Sequence, residues 1–503
     1  MEVRSMSMVC RSVIALALAA GLSGCKVGPD YRAPEIDAPG DAFAHTGGDG
    51  FAGPSRTVAR AVNPEWWRLL NDPALDSLIE RGVRGNLDVR LAEARVREAR
   101  AARGIFAAEG LPTVDVGGSA ERSRGTGNTR QGRLTGGEAS NLFQVGFDAG
   151  WELDVFGGAA RSVEAAERDI EAAEDDRRAA LVTLVSEVAR NYVELRGFQR
   201  RLEIARQNIA TQRDVLGLTR SRFQAGLTSD LDVAQAESSV AAVEATVPLL
   251  DQGVQQSIHR LGVLLGARPE TLLQELSGAA PIPEAPAEVP VGLPSELLLR
   301  RPDVRAAERR LAAETARIGV ATADLYPRFS LTGSFGLAAD KVPSVPDASS
   351  RFWSFGPAVR WPILDWGRIR SNIEVQGARA EGALIQFERA MLASFEDTEN
   401  ALSAFSREQA RRASLAESVN ANRRAFDLAN QLYTAGLADF QRVLDSQRAL
   451  FASEDALVDS QRAVATNLVA LYKALGGGWD PFAPARAEPE RFAPPPPSSH
   501  LAG

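Results

Sequence analysis

The sequence is poor in cysteine, histidine and aromatic residues: two Cys and three His among 503 residues, with Phe, Trp and Tyr together at 6%. A disulfide-stapled scaffold needs more cysteine than that. His45, His259 and His500 lie far apart, so neither a metal-ligand cluster nor a histidine-based triad is available. Gly476-Gly477-Gly478 lacks the Lys and Ser/Thr that would follow in a phosphate-cradling loop. With no catalytic constellation, the expectation is a protein that is not an enzyme and uses no metal or cofactor. Positive charge is not in excess either. Lys and Arg number 57 against 65 Asp and Glu, a net charge of −8, which argues against a protein that coats nucleic acid. No stretch reaches the roughly 18 to 20 apolar residues of a membrane-spanning helix. The longest, Val13 to Leu22, sits at the N-terminus. These absences exclude an α-helical membrane protein and leave open one built from strands.

What is present begins with an address. Arg4 and Arg11 precede the apolar run Val13 to Ala20, and small residues follow, the order of a secretory signal over 1–24. The run ends in Leu22-Ser23-Gly24-Cys25, which resembles a bacterial lipobox. That implies an acylated Cys25 as the first mature residue, with a covalent lipid as the only added group. The alternative is a plain signal cleaved near Ala20 with Cys25 as an incidental thiol. Lys26, where inner-membrane lipoproteins often carry Asp, favours the outer membrane.

The chain also repeats itself. Asp88-Val89-Arg90 recurs as Asp303-Val304-Arg305 and Leu111-Pro112 as Tyr326-Pro327, at a shift of 215. Trp151 recurs as Trp361, Phe156-Gly157 as Trp366-Gly367, and Ala225-Gly226-Leu227 as Ala435-Gly436-Leu437, at a shift of 210. The slip falls in segments 122–141 and 339–351, which read as loops. The expected layout is an N-terminal segment over 25–85, a first repeat over 86–266, a Pro-rich linker over 267–300 and a second repeat over 301–478. A Pro-rich disordered tail follows over 479–503. Each repeat reads as helix, two strands, long helix, tight turn and helix. The strands are placed at 111–121, 142–154, 328–338 and 352–364, the long helices at 157–225 and 367–435, and the closing helices at 230–265 and 439–475.

Apolar residues recur every seventh position from Leu181 through Val188, Leu195, Leu202, Ile209 and Leu216 to Phe223, the spacing of coiled-coil packing. Leu384, Met391, Phe405, Val419, Phe426 and Tyr433 answer in the second repeat, with Thr398 and Arg412 as interruptions. Gly157 to Ala225 is 69 residues, roughly 100 Å of helix at about 1.5 Å per residue. A globular domain has no use for such a rod, whereas something that crosses a space does.

The strands alternate. Phe143, Val145, Phe147, Ala149, Trp151 and Leu153 share one face, and Gln144, Gly146, Asp148, Gly150, Glu152 and Asp154 the other. Period-two patterning over about ten residues with aromatics near the ends is how outer-membrane barrel strands look, though a soluble sheet on a core shares the period. Four strands cannot close a barrel, and an open edge in lipid leaves backbone groups unpaired. Two chains would supply eight strands filled by side chains. Three would supply twelve and leave a lumen.

Cys25-Lys-Val-Gly-Pro-Asp-Tyr-Arg-Ala-Pro34, Glu65-Trp66-Trp67, Leu293-Pro-Ser-Glu296 running into Arg301-Pro-Asp-Val304, and Leu475-Gly-Gly-Gly-Trp479 together resemble the TolC-like outer-membrane efflux proteins. The lipidated NodT-type group serving RND pumps is the nearest likeness, over roughly 22 to 480. The resemblance implies an α+β, mainly α chain forming a homotrimer, with a twelve-stranded β-barrel continued by a long α-helical periplasmic barrel. It implies docking to a periplasmic adaptor (membrane fusion) protein and an inner-membrane RND transporter, for export of drugs or other toxic small molecules. It also implies a periplasmic gate at Asp445, Arg448 and Tyr433, with Gln441 and Arg442 departing from residues seen in relatives. The turns at Gly226-Leu227 and Gly436-Leu437 become the adaptor-docking tips. The competing readings are a duct for type I protein secretion, and a non-conducting periplasmic coiled-coil protein.

Overall fold

The computed structural model describes residues 26–35, 43, 55–58, 60–126, 128–129, 139–293 and 300–482. The expected signal segment, Cys25 and the tail beyond 482 lie outside the described residues. The chain is α+β and mainly helical. In order it holds β1 (Arg56–Val58), a 3-10 turn (Trp66–Leu70), α1 (Pro73–Gly85), α2 (Leu87–Glu109), β2 (Thr113–Arg124), β3 (Ala139–Leu153), α3 (Gly158–Gln224), α4 (Asp230–Glu244) and α5 (Val247–Leu264). Then come two short helical segments, Pro269–Leu272 and Leu273–Leu276, followed by β4 (Glu288–Pro290), α6 (Pro302–Ala323), β5 (Arg328–Ala339), β6 (Arg351–Arg360), α7 (Arg368–Thr434) and α8 (Phe440–Ala474).

Three expectations change. The helix placed at 230–265 is two helices, because Pro248 has no N–H to continue the ladder and its ring crowds the preceding turn. The strand placed at 352–364 ends at Arg360, just before Pro362. The linker 267–300 is not wholly irregular: besides its helical segments, β4 pairs in parallel with β1, Arg56 opposite Glu288 and Val58 opposite Pro290.

Local chemistry sets the helix ends. Asp72 accepts from Ala74 N and Leu75 N and is followed by Pro73 at the first helical position, so α1 starts there. Asp154 accepts from Ala159 N and Ala160 N at the start of α3. Asp365 does the same for Gly367 N and Ile369 N at the start of α7, and those backbone donors hold its carboxyl below the usual range. Both long helices end in the same way. Gly226 N reaches Phe223 O while Leu227 N reaches Arg222 O, and Gly436 N reaches Tyr433 O while Leu437 N reaches Leu432 O. That is the Schellman pattern, with glycine supplying φ of +66° and +74°.

The described residues form two compact units. One comprises those of Met1–Asp37, Ala92–Asp176 and Asp303–Leu392. It contains an antiparallel sheet in the order β2-β3-β5-β6. β5 begins and ends 215 residues after β2, and α7 begins and ends 210 after α3. Hairpin register follows the same shifts, since Thr113 opposite Gly150 becomes Arg328 opposite Arg360. So does a polar detail: Trp151 Nε1 donates to Gly110 O and Trp361 Nε1 to Leu325 O, both at 3.0 Å.

The other unit comprises the described residues of Ala38–Leu91, Arg177–Pro302 and Ala393–Gly503. Its core packs Trp66, Trp67, Leu75, Leu78 and Ile79 against Leu181, Val188 and Leu195 of α3, Leu261 of α5 and Leu468 of α8. Trp66 stacks on Tyr472 with centroids 5.1 Å apart. The heptad stripe is buried as far as Leu202. Beyond it burial passes to Ile204, Ala205, Val215 and Thr219, while Phe223 is exposed. A straight helix drifts against a strict seven-residue repeat, so the buried stripe leaves the original positions. Thr398, expected as an interruption, is fully buried, its hydroxyl donating to Ser394 O at 2.9 Å.

Candidate functional site: the sheet, the strap and the helix tips

Strand alternation gives the sheet two unlike faces. The register aligns Val116, Phe147, Phe335 and Trp353 in one row, and Asp115, Asp148, Ser334 and Ser354 in another on the opposite side. Ser334 and Ser354 join hydroxyl to hydroxyl at 2.6 Å. The apolar row lies exposed, as do Val114, Phe355 and Val359. A soluble sheet would set these side chains on a core; here they need an apolar solvent. Among the described residues the outer edges, β2 and β6, each pair on one side only. Among the described residues no helix is long and apolar enough to cross a membrane.

Residues 26–35 form a strap on the first strand-to-helix joint. Val27 N donates to Phe156 O at 3.2 Å. The Arg161 guanidinium, 2% exposed, donates to Val27 O at 3.2 Å, Gly28 O at 3.4 Å, Asp30 at 2.7 Å and Glu164 at 3.0 Å. The hydrogen bond and charge of Arg161 pull the Asp30 carboxyl below its ordinary value. Gly28, at φ +86°, passes so close to Gly319 that a Cβ would lie 2.4 Å from the Gly319 Cα. Tyr31 donates to Glu308 at 3.0 Å, and burial followed by the Glu308 charge raises its phenol above the usual range. In the sequence Gly28-Pro-Asp-Tyr31 is a family mark, and nothing beside it points to Arg161. Arg161 sits in a polar helical stretch that carries no signal of burial.

The helix tips carry the expected gate residues. Tyr433 is buried in a small core with Val215, Ala236, Phe426, Phe440, Val443 and Leu444. Its hydroxyl lies 3.5 Å from Thr219 Oγ1, whose own proton goes to Val215 O. Arg222 stands over the Tyr433 ring at 4.7 Å and reaches Thr434 O at 3.4 Å. Asp445 is exposed and accepts from Gln441 Nε2 at 2.9 Å, one helical turn away. Arg448 is exposed, and among the described residues no ion pair joins it to Asp445. The structure therefore brings Tyr433 to the first helical hairpin and leaves Asp445 and Arg448 turned outward. Arg222 was missed. Its only mark in the sequence is that the second tip carries Leu432 at the equivalent position. Leu227 and Leu437 are exposed at the turns, and among the described residues no group of His, Cys, Asp and Glu could hold a metal ion.

An open sheet with one lipid-type face, in a chain that also holds two 67-residue helices, is the build of an outer-membrane channel subunit. The profile of the family described as "Outer membrane efflux protein" matches residues 78–267 and 293–477, and the chain belongs to that family. It is similar to Nodulation protein T of Rhizobium leguminosarum bv. trifolii, with 33% identity over 464 residues, covering 92% of this chain and 97% of the relative. It is also similar to the solvent efflux pump outer membrane protein SrpC of Pseudomonas putida, with 34% identity over 465 residues, covering 91% and 96%. Among solved structures, the outer-membrane channel OprN superposes with a TM-score of 0.82 at 38% identity, covering 90% of this chain and 100% of that one. The expected family, the α+β fold class and the outer-membrane location stand on these matches.

Proposed function

We propose that three copies close a twelve-stranded barrel in the outer membrane and form the gated exit duct of a tripartite RND-type efflux system. Drugs or other toxic small molecules pass through it from periplasm to exterior without a catalytic step. The observation that carries this reading is the sheet, whose exposed apolar face suits lipid, whose opposite face suits a wet lumen, and whose two edges lack strand partners among the described residues. In this reading Cys25 bears the lipid, and the strap gives the residue that follows it a fixed seat at the foot of the sheet.

The tips meet a periplasmic adaptor through the turns at Gly226-Leu227 and Gly436-Leu437, and the adaptor links the duct to an inner-membrane RND transporter. Asp445 and Arg448, unpaired with each other in one chain, are available to neighbouring copies around the axis. Three Asp445 carboxylates there repel one another and favour cations. Tyr433 contributes from behind, by fixing the second hairpin to the first. The test is conductance in planar bilayers of the detergent-extracted trimer: small and gated for the natural chain, rising stepwise when Asp445 and Arg448 are both changed to Ser. An unchanged conductance removes the gate assignment, and no current under any condition removes the channel.

A further inference from the structure

The internal repeat supplies a template for the contact between copies. Within one chain the two repeats meet where β3 pairs with β5, Trp151 opposite Leu331, Ala149 opposite Gly333 and Phe147 opposite Phe335. Just beyond, Phe156 of the first repeat stacks on Tyr326 of the second, with centroids 4.5 Å apart. Each partner has an equivalent elsewhere in the chain. A shift of 210 carries Phe156 to Trp366, and removing 215 carries Tyr326 to Leu111. Among the described residues no ring contact involves those equivalents. Trp366 is 91% exposed and Leu111 62% exposed. Trp366 also holds φ of +56°, a left-handed backbone that a bulky residue keeps only where its surroundings demand it.

We propose that β6 of one copy pairs with β2 of the next in the register inherited from β3 and β5, and that Trp366 seats on Leu111 of that next copy. Shifting the observed pairs sets Trp361 opposite Val116, Val359 opposite Gly118 and Pro357 opposite Ala120 of the neighbour. Parity supports this: the apolar face of β6 then continues into the apolar face of β2, and the polar faces likewise, whereas a slip of one residue would interleave them. The two repeats obey their shifts in hairpin register and in the Trp151 and Trp361 bonds, so the same rule is extended to the one junction a single chain leaves open. The proposal rests on the barrel reading above, and adds to it the residues that touch.

Cysteine pairs in the full-length protein, oxidised in native membranes and run without reductant, test it. Val359→Cys with Gly118→Cys is expected to link copies several-fold more than Val359→Cys with Val116→Cys or with Ala120→Cys. Directly opposed strand residues fall within disulfide reach and diagonal ones fall outside it. Ala149→Cys with Gly333→Cys, opposed within one chain, is the control for oxidation and folding. Dominance of a slipped pair overturns the register while the channel stands. Absence of all three links beside a positive control overturns closure by these edges, and with it the barrel. For the joint, Trp366→Ala and Leu111→Ala should each lower the dissociation temperature of the trimer by a few degrees, and the double variant by no more than the larger. Additive losses, or none, would mean that the two side chains do not meet.

Discussion

Replacing Arg161 with Met should free the strap while leaving the remainder of the molecule intact. Methionine is apolar and of comparable length, so no large cavity opens and the change removes mainly hydrogen bonds. The two main-chain bonds, to Val27 O at 3.2 Å and Gly28 O at 3.4 Å, carry the estimate. A charged donor to a carbonyl contributes about 1.5–3 kcal/mol, and the longer bond belongs at the low end, so the pair is worth about 3 kcal/mol. Asp30 is left out of that figure because its carboxylate is 84% exposed and water screens it. At about 1.4 kcal/mol per tenfold, the opening constant of the strap rises on the order of 100-fold. The reporter is the Val27 amide, which donates to Phe156 O, followed by hydrogen–deuterium exchange of the peptide spanning 26–35. Arg161→Lys should recover part of the protection, since one ammonium cannot fork to both carbonyls and both carboxylates. If exchange at 26–35 in the Met variant stays within about threefold of the natural protein, Arg161 does not hold the strap and this bond reasoning fails.

Four further outcomes are expected. The Asp30–Arg161 contribution lies on a depressed carboxyl, so it is complete above the ordinary value of 3.8 and fades as pH falls through the lower folded-state value. Pepsin should therefore cleave the strap of the natural chain at a rate that is flat near pH 4 and rises only below it, and Asp30→Asn should abolish that rise. Tyr192→Phe removes a hydroxyl that donates to the α1 cap Asp72 at 2.6 Å and accepts from Arg196 at 3.1 Å; a loss of about 2 kcal/mol is expected in urea unfolding. Burial and the Asp72 bond push that phenol up to about 12, so an ultraviolet titration of the folded protein should show its ionisation at the alkaline end. Phe405→Ala at a fully buried position should cost about 3–5 kcal/mol, and a melting temperature within a degree of the natural protein would contradict the packing described.

The long helices were legible nearly to the residue, 157–225 against Gly158–Gln224 and 367–435 against Arg368–Thr434. Their ends are written in adjacent residues, Asp before and Gly after, which act over one turn. The strands were legible as period-two runs, but the end of β6 was not: Trp361 and Ile363 extend the apolar alternation past the point where pairing stops. The break between α4 and α5 falls at Pro248, a helix-interrupting residue within the single helix placed at 230–265. At the tips, Asp445 and Arg448 were named as a group with Tyr433, yet in one chain only Tyr433 is buried among partners. Tyr433 ends α7 while Asp445 and Arg448 lie on α8, and motif likeness does not say which of the three packs within one chain.

By itself the sequence determined the repeat, the two alternating faces of the sheet and the rod-like helices, because each rests on periodicity or on signals within a few residues. Only the tertiary structure decided that β1 meets β4, that Arg161 closes over Val27 and Gly28, and that Arg222 stands on Tyr433. These contacts join segments more than 130 residues apart, and nothing periodic marks them. They arise from which surfaces remain uncovered once the helices and the sheet have formed, which is a property of the packed chain.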